Sequence, residues 1–469
     1  MRTIRSLALL LGAVAVTAHA VAKPNFVFFL ADDLGWADLG VYGSDLHETP
    51  RIDGLARGAM RFTQAYAAAP ICSPTRASIM TGKRPAKLRM TIWREAARRP
   101  PLTRRLVPPI TLDSLPHEEI TIAEVLRQAG YVTAHVGKWH LGAAEYYAQT
   151  QGFDYDVGGT LWGAPQTFFF PYSGSQYFDG LRYVPHLGGG SEGEYLTDRL
   201  TSEAIRILKE QRGRPFFLHL AFHTVHTPIE GKPEIVERYR RKIRGGMRHR
   251  NAHYAAMVES LDENVGRILD TLDELGVAEN TVLIFTSDNG GLVGKFRGDQ
   301  VTDNSPLRSG KGSLYEGGIR VPAIIRWPGV TEPGSINDTP ISTIDYYRTI
   351  LSMADLEGDR NFNRTVDGID LMPVLRDVDA AADRSALFFH YPHYYSTTSP
   401  VSAVRAGNWK LLRYYEHSRA ELYNLADDVG ERKDLSSTRP ELARSLLQRL
   451  ETWLDQAGAQ HPSPNPAGR

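Results

Sequence analysis

Cysteine occurs once in the 469 residues, at Cys72. It sits inside the run Pro70-Ile71-Cys72-Ser73-Pro74-Thr75-Arg76-Ala77-Ser78-Ile79-Met80-Thr81-Gly82. Proline suits the first turn of a helix, so the spacing predicts a helix that begins near Ser73-Pro74 with Cys72 at its positive end. An anion at that end would meet unsatisfied backbone N–H groups, the helix dipole and Arg76 one turn away. The alternative for a lone cysteine is burial as a small structural side chain.

Other chemistry-bearing residues share one kind of position. Asp32 and Asp33 come directly after the apolar run Asn25-Phe26-Val27-Phe28-Phe29-Leu30, and Asp288 and Asn289 after Thr281-Val282-Leu283-Ile284-Phe285-Thr286-Ser287. Adjacent carboxylates repel unless a cation lies between them, and hard oxygen donors suit Ca²⁺ or Mg²⁺. An acidic turn with Asp32 as a cap is the other reading. Lys138 and His140 come after Tyr131-Val132-Thr133-Ala134-His135-Val136, and His226 after Pro215-Phe216-Phe217-Leu218-His219-Leu220-Ala221. Lys311 lies in the glycine-rich loop Gly310-Lys311-Gly312.

The elements that must position these residues alternate between apolar runs and helical patterns. Thr121 to Ala129 shows helical spacing with a Thr cap and a Glu three residues on, and residues 195–210 and 254–275 are also helical in pattern. That alternation predicts an α/β fold with a parallel sheet covered by helices on both faces. Four strands then deliver polar residues just past their carboxyl ends, the edge at which open α/β sheets bind ligands.

The thirteen-residue run around Cys72 resembles the signature of the type I, formylglycine-dependent sulfatases. Gly130-Tyr131 through Gly137-Lys138-Trp139-His140 resembles the second signature of that family. His226-Thr227-Pro228, Ser287-Asp288-Asn289-Gly290 and Gly310-Lys311-Gly312 fall in the expected order, so the resemblance covers nearly the whole mature chain.

It implies the alkaline-phosphatase superfamily fold: a large mixed, mostly parallel sheet sandwiched by helices over residues 23–376, then a smaller C-terminal antiparallel sheet with a helix over 377–458. It implies that a formylglycine-generating enzyme oxidises Cys72 to formylglycine, whose hydrated aldehyde is the nucleophile. It further implies Ca²⁺ held by Asp32, Asp33, Asp288, Asn289 and the modified Cys72. Arg76 and Lys138 would hold the hydrate, His140 would act as base, His226 would protonate the leaving alcohol, and Lys311 would bind the sulfate.

The implied activity is sulfuric-ester hydrolysis on a sulfated carbohydrate, with a polysaccharide of galactose or N-acetylgalactosamine type as a candidate. Phosphodiester or phosphonate hydrolysis with the same nucleophile is an alternative. A non-catalytic protein that binds sulfated glycans through an unconverted Cys72 is another.

Composition bounds the rest. Lys plus Arg and Asp plus Glu both number 54, so net charge gives no basis for a nucleic-acid partner. Residues 1–20 read as a signal peptide, with Arg2 and Arg5, an apolar run and Ala18-His19-Ala20. The expected location is therefore secreted or periplasmic, with no membrane span after cleavage. A single cysteine excludes an intramolecular disulfide.

Two arginine-rich stretches, Leu88 to Pro109 and Arg238 to Arg250, read either as solvated surface or as contacts to an anionic substrate. The first is expected to be an extended surface loop. Residues 150–195, aromatic and glycine-rich, are expected to line a pocket. His135 and His219 read as structural, while His223, His390 and His393 stay open between structural and site roles. Residues 459–469 are expected to form a flexible tail.

Overall fold

The computed structural model describes residues 23–99, 103–178, 180–417 and 419–466. The expected signal segment, residues 1–20, lies outside the described residues. Strand β1 (Asn25–Ala31) is buried along its whole length. Phe26, Phe28 and Leu30 enter one apolar cluster, and Val27, Phe29 and Ala31 enter another. Side chains alternate across a strand, so a sheet covered on both faces admits a polar residue only where it finds a partner, as Asn25 does in Thr281.

The same sheet contains β2 (Met60–Tyr66), β3 (Val132–Gly137), β4 (Tyr155–Val157), β5 (Phe216–Ala221), β6 (Thr281–Ser287) and β7 (Arg320–Arg326). The short β8 (Ile336–Asn337) and β9 (Ile341–Ser342) complete it. The strand order is β8-β2-β7-β6-β1-β5-β3-β4, with β9 also on β2. Strands β6, β1, β5 and β3 are parallel neighbours, with Ala31 opposite Ser287, Leu30 opposite Ala221, and Gly137 opposite Ala221. The carboxyl ends of these four strands therefore open side by side. Strand β7 runs antiparallel to β6 and β2, which makes the sheet mixed.

Helices Leu196–Glu210 and Ala252–Glu274 cover one face through Leu200, Ile207, Leu261 and Val265. Helices Cys72–Thr81 and Ile122–Gln128 cover the other through Ile79, Met80, Ile122 and Leu126. Thr121 and Glu124 form the capping box expected from their spacing. No helix among the described residues is long and apolar enough to cross a membrane.

A second, antiparallel sheet comprises β10 (Leu387–Tyr391), β11 (Val401–Ala406), β12 (Trp409–Tyr414) and β13 (Arg419–Asn424). The runs Leu387-Phe388-Phe389-His390, Val401-Ser402-Ala403-Val404-Arg405 and Trp409-Lys410-Leu411-Leu412-Arg413-Tyr414 read as strands in the sequence, and Arg419–Asn424 does not. Helix Pro440–Gln456 closes the outer face with Leu446, Leu450 and Leu454. The inner face places Phe389, Val401 and Leu412 in one cluster with Tyr66, Ile71 and Cys72.

Two expectations need correction. The stretch Leu88 to Pro109 is not simply an extended surface loop: Ile92 is buried, Arg94–Arg98 is helical and Leu106–Val107 is a short strand. Residues 459–466 are tied down. Ser463–Pro464 pairs with Leu106–Val107, Asn465 bonds to the Arg104 and Arg105 carbonyls, and His390 Nε2 bonds to the Gln460 carbonyl. Both misreadings come from segments that find their hydrogen-bond partners far away in sequence, where composition carries no signal.

The two sheets are fastened by a buried ion cluster. Lys410 Nζ on β12 lies 2.9 Å from Glu316 Oε1 and 2.8 Å from Glu431 Oε1, all fully buried. Burial and repulsion from Glu316 push the Glu431 carboxyl up to about 7, against the pull of Lys410. Removing the cation alone would leave two buried carboxylates facing each other. Lys410→Met should therefore destabilise the protein by about 3–5 kcal/mol in urea unfolding. Adding Glu316→Gln and Glu431→Gln should restore much of the loss, and a Lys410→Met variant as stable as the parent would contradict the role of this cluster.

Candidate functional site

Cys72 is the first residue of a helix, Cys72–Thr81, in which every residue is buried. Ile71 precedes it in extended conformation and offers no side-chain cap. Ser73 Oγ donates to the His140 carbonyl at 2.8 Å, and Thr75 Oγ1 donates to the Ala69 carbonyl at 3.0 Å. Arg76 reaches across the sheet edge, with Nη1 2.7 Å from the Lys138 carbonyl and Nε 2.8 Å from Asp288 Oδ2. The motif is thus bonded to the ends of both β3 and β6.

All ten residues singled out from the sequence meet at this edge. Lys138 Nζ lies 2.7 Å from Asp32 Oδ2, and Arg76 Nη2 lies 3.8 Å from Asp32 Oδ1. Lys311 Nζ lies 2.8 Å from Asp33 Oδ2, Asn289 Nδ2 donates to Asp33 Oδ1 at 2.8 Å, and His226 Nε2 stands 3.6 Å from Asp33. Cys72, His140, His226, Lys311 and Asp33 line one cavity of about 270 Å³.

The electrostatics come from burial and close pairing. Burial pushes the Asp32 carboxyl well up; Lys138 and Arg76 oppose that shift, while repulsion from Asp288 and Asp33 adds to it. Burial acts on Asp33 in the same direction, but Lys311, His226 and Lys138 outweigh it and hold Asp33 below the usual carboxylate range. Burial also opposes ionisation of Cys72, yet Lys138, His140 and Lys311 bring its thiol down to about 6. Burial and the nearby Lys311 hold His226 largely neutral. Asp32 Oδ1 and Asn289 Oδ1 are buried without a hydrogen-bond partner among the described residues. Ligand atoms of Asp32, Asp33 and His226 all lie within 4.8 Å of one another.

The other histidines of the sequence reading, two read as structural and three left open, are placed as follows. His135 and His219 pair with each other, Nδ1 to Nδ1 at 3.0 Å, below the edge. His390 bonds Ser402, and His393 bonds Thr91 at 2.7 Å, so both are packed between elements. His223 is buried and does not line the cavity, and its ring nitrogens have no hydrogen-bond partner among the described residues.

Several lining residues carried no signal of their own in the sequence. Glu95, from the arginine-rich stretch, places Oε2 3.5 Å from His140 Nε2 and Oε1 4.0 Å from Arg182. Arg182, Phe178, Gly163 and Ala164 come from the aromatic, glycine-rich stretch that was expected to line a pocket. Tyr395, in the connection between β10 and β11, lines the cavity with Lys311. Thr397 Oγ1 donates to the Lys311 carbonyl at 2.8 Å, and a Cβ on Gly312 would meet the Tyr395 ring at 2.0 Å. The basic run from Arg238 to Arg250 does not line the cavity. Its charges go to Glu259, Glu237, Glu48 and Asp45.

Residues 24–356 match the Sulfatase family model, and residues 310–460 match that of the N-sulphoglucosamine sulphohydrolase C-terminal region. A sulfatase of Formosa agariphila is 33% identical, with 92% of this chain and 89% of the relative covered. The N-acetylgalactosamine-6-sulfatase of Canis lupus familiaris is 31% identical, covering 94% of this chain and 86% of its own. Among solved structures, that of Ps i-CgsB in complex with k-i-k-neocarrahexaose aligns with a TM-score of 0.76 at 29% identity, covering 92% of this chain and 93% of that one.

Gly163 offers a test of the geometry around His140. A Cβ there would lie 2.3 Å from His140 Cε1, so the ring must move. Gly163→Ala should slow cleavage of 4-nitrophenyl sulfate by about 100-fold, the scale expected for an ångström of misplacement, while the thermal midpoint stays close to the parent's. An unchanged rate would show that the position of this ring is not critical.

Proposed function

The chain belongs to the sulfatase family, and from that premise we propose that it removes sulfate from a sulfated carbohydrate, with Cys72 converted to formylglycine as nucleophile and Ca²⁺ as its metal. The observation that carries this reading is the closed set of three carboxylates and three cations (Asp32, Asp33, Asp288 against Arg76, Lys138, Lys311) around the start of the Cys72 helix.

The donor set fits Ca²⁺. It consists of oxygens only, from Asp32, Asp33, Asp288 and Asn289, and two of those oxygens lack a hydrogen-bond partner among the described residues. When bound, Ca²⁺ would favour the ionised form of the buried carboxyls and polarise a sulfate oxygen as a Lewis acid. Formylglycine would supply a hydrated aldehyde, whose second hydroxyl permits sulfate to leave without attack by water on sulfur.

The chain's own residues do the rest. Lys311 sits on the cavity wall and would pair with the sulfate, while Lys138 and Arg76 stabilise negative charge at the nucleophile. The Thr227 carbonyl accepts from His226 Nδ1 at 2.8 Å, which leaves Nε2 toward Asp33 and the cavity. With Nδ1 donating to Thr227, the neutral ring carries no proton at Nε2, so His226 would protonate a departing alkoxide after taking up a proton there, which the negative charge of a bound sulfate favours. Glu95 orients His140 through Nε2, and His140 Nδ1 has no other partner among the described residues and can take a proton. A carbohydrate as the alcohol is supported by the glycan bound to Ps i-CgsB and by the N-acetylgalactosamine-6-sulfatases, together with the aromatic walls Trp93, Phe178 and Tyr395.

Dialysis against chelator should abolish turnover of 4-nitrophenyl sulfate, and Ca²⁺ should restore it. Full activity in a metal-free sample by elemental analysis would remove the cation from the reading. In the active protein, the peptide containing Cys72 should have lost its sulfur by mass spectrometry. Cys72→Ala should stay folded and inactive, and Cys72→Ser should manage at most one turnover. Sustained turnover by the serine variant, or faster turnover of an aryl phosphodiester than of the sulfate by the parent, would overturn the proposal.

A further inference from the structure

The reaction cavity continues past its own wall. Glu95, Phe178 and Arg182 line both it and a second cavity of about 940 Å³. The first cavity, at about 270 Å³, is at the small end of ligand sites, whereas the second is at the large end. A substrate seated with its sulfate at Lys311 and extending past Glu95, Phe178 and Arg182 would enter the second.

The lining of this groove has a definite chemistry. Arg94, Arg98, Arg99 and Arg182 face it. Arg94 and Arg98 share Asp113 at 2.7 and 3.0 Å, and Arg182 lies 4.0 Å from Glu95. Among the described residues, Arg94, Arg98 and Arg99 meet one carboxylate, that of Asp113, so positive charge is in excess there. Arg98 is 64% exposed, and Arg99 forms no ion pair among the described residues, so the unspent charge is at the outer end. The floor is aromatic: the Arg182 guanidinium stacks 3.9 Å from the Phe178 ring centroid and 5.0 Å from that of Trp162, with Tyr177 beside them. Flat apolar rings under a cationic rim suit a sugar ring that carries an anion. The contrast with Arg238 to Arg250, a run whose charges are largely paired away from the cavity, shows that arginine density alone does not create such a surface.

We propose that this groove is a second subsite, which binds the sugar unit next to the one being desulfated through an anionic group, sulfate or carboxylate, held by Arg98 and Arg99. The inference rests on the carbohydrate reading above and narrows it to a polyanionic oligosaccharide. Because the outer arginines are exposed, their pull on the substrate is screened by salt.

The test compares one accepted sulfated monosaccharide with three disaccharides built on it, whose neighbouring unit is neutral, sulfated or a uronic acid. The sulfated or the uronic acid neighbour should raise kcat/KM above the neutral one by about tenfold, and salt should erase the gain. Arg98→Ala/Arg99→Ala should cancel it, lowering the charged-to-neutral ratio by roughly tenfold. Whichever charged disaccharide is preferred identifies the anion. Equal kcat/KM for all three disaccharides, or a ratio unchanged in the double variant, would overturn the subsite. If only 4-nitrophenyl sulfate and no sugar is turned over, the carbohydrate reading fails instead.

Discussion

The structure depends on burying three carboxyl groups against three cationic side chains at one sheet edge. Asp32, Asp33 and Asp288 leave adjacent parallel strands with no water to solvate them, and Lys138, Lys311 and Arg76 meet them at hydrogen-bond distance. Taking such ions out of water costs several kcal/mol each, and pairing them rarely returns more than that cost. A cluster of this size is therefore a poor device for stability. Fixed charges held ready before an anion arrives are, by contrast, what transfer of an anionic group requires, because no reorganisation remains at the moment of reaction.

Much of the remaining architecture holds this edge in place. The two apolar clusters clamp the strands that carry the carboxylates and Lys138, and the Cys72 helix is locked by bonds from Ser73 and Arg76 to the backbone after β3. The second sheet presses its inner face on Ile71 and Cys72, anchored by Lys410 between Glu316 and Glu431. Its β10–β11 connection packs Tyr395 against Gly312 and bonds Thr397 to the Lys311 carbonyl. The C-terminal part of the chain is thereby one wall of the reaction cavity.

Specificity has a different origin from chemistry here. The candidate reacting groups sit on strand ends, on the start of the Cys72 helix and on the Lys311 loop, whereas Trp93, Phe178 and Arg182 sit on connections and Glu95 on a short helix within one. Loops carried by a rigid scaffold can vary without disturbing the core. The cavity thus combines a fixed anion-binding centre with an outer wall free to match a particular substrate.

The sequence by itself determined the strands and the ionisable residues at their carboxyl ends. A run such as Phe26-Val27-Phe28-Phe29-Leu30 has to be buried on both faces, and ionisable residues directly after several such runs must share an edge if the strands are parallel. The resemblance around Cys72 and Lys138-Trp139-His140 added the order and the expected roles. What only the tertiary structure decided are contacts between distant segments without periodicity. Glu95 meets His140 across 45 residues, Tyr395 closes on Gly312, and Ser463–Pro464 finds Leu106–Val107. The two arginine runs read alike in composition, yet one borders the cavity and the other pairs with Glu48, Glu259 and Asp45. Local sequence fixes which side chains a segment carries. Which opposite charges it meets depends on where the chain returns, and that is settled by packing the whole core.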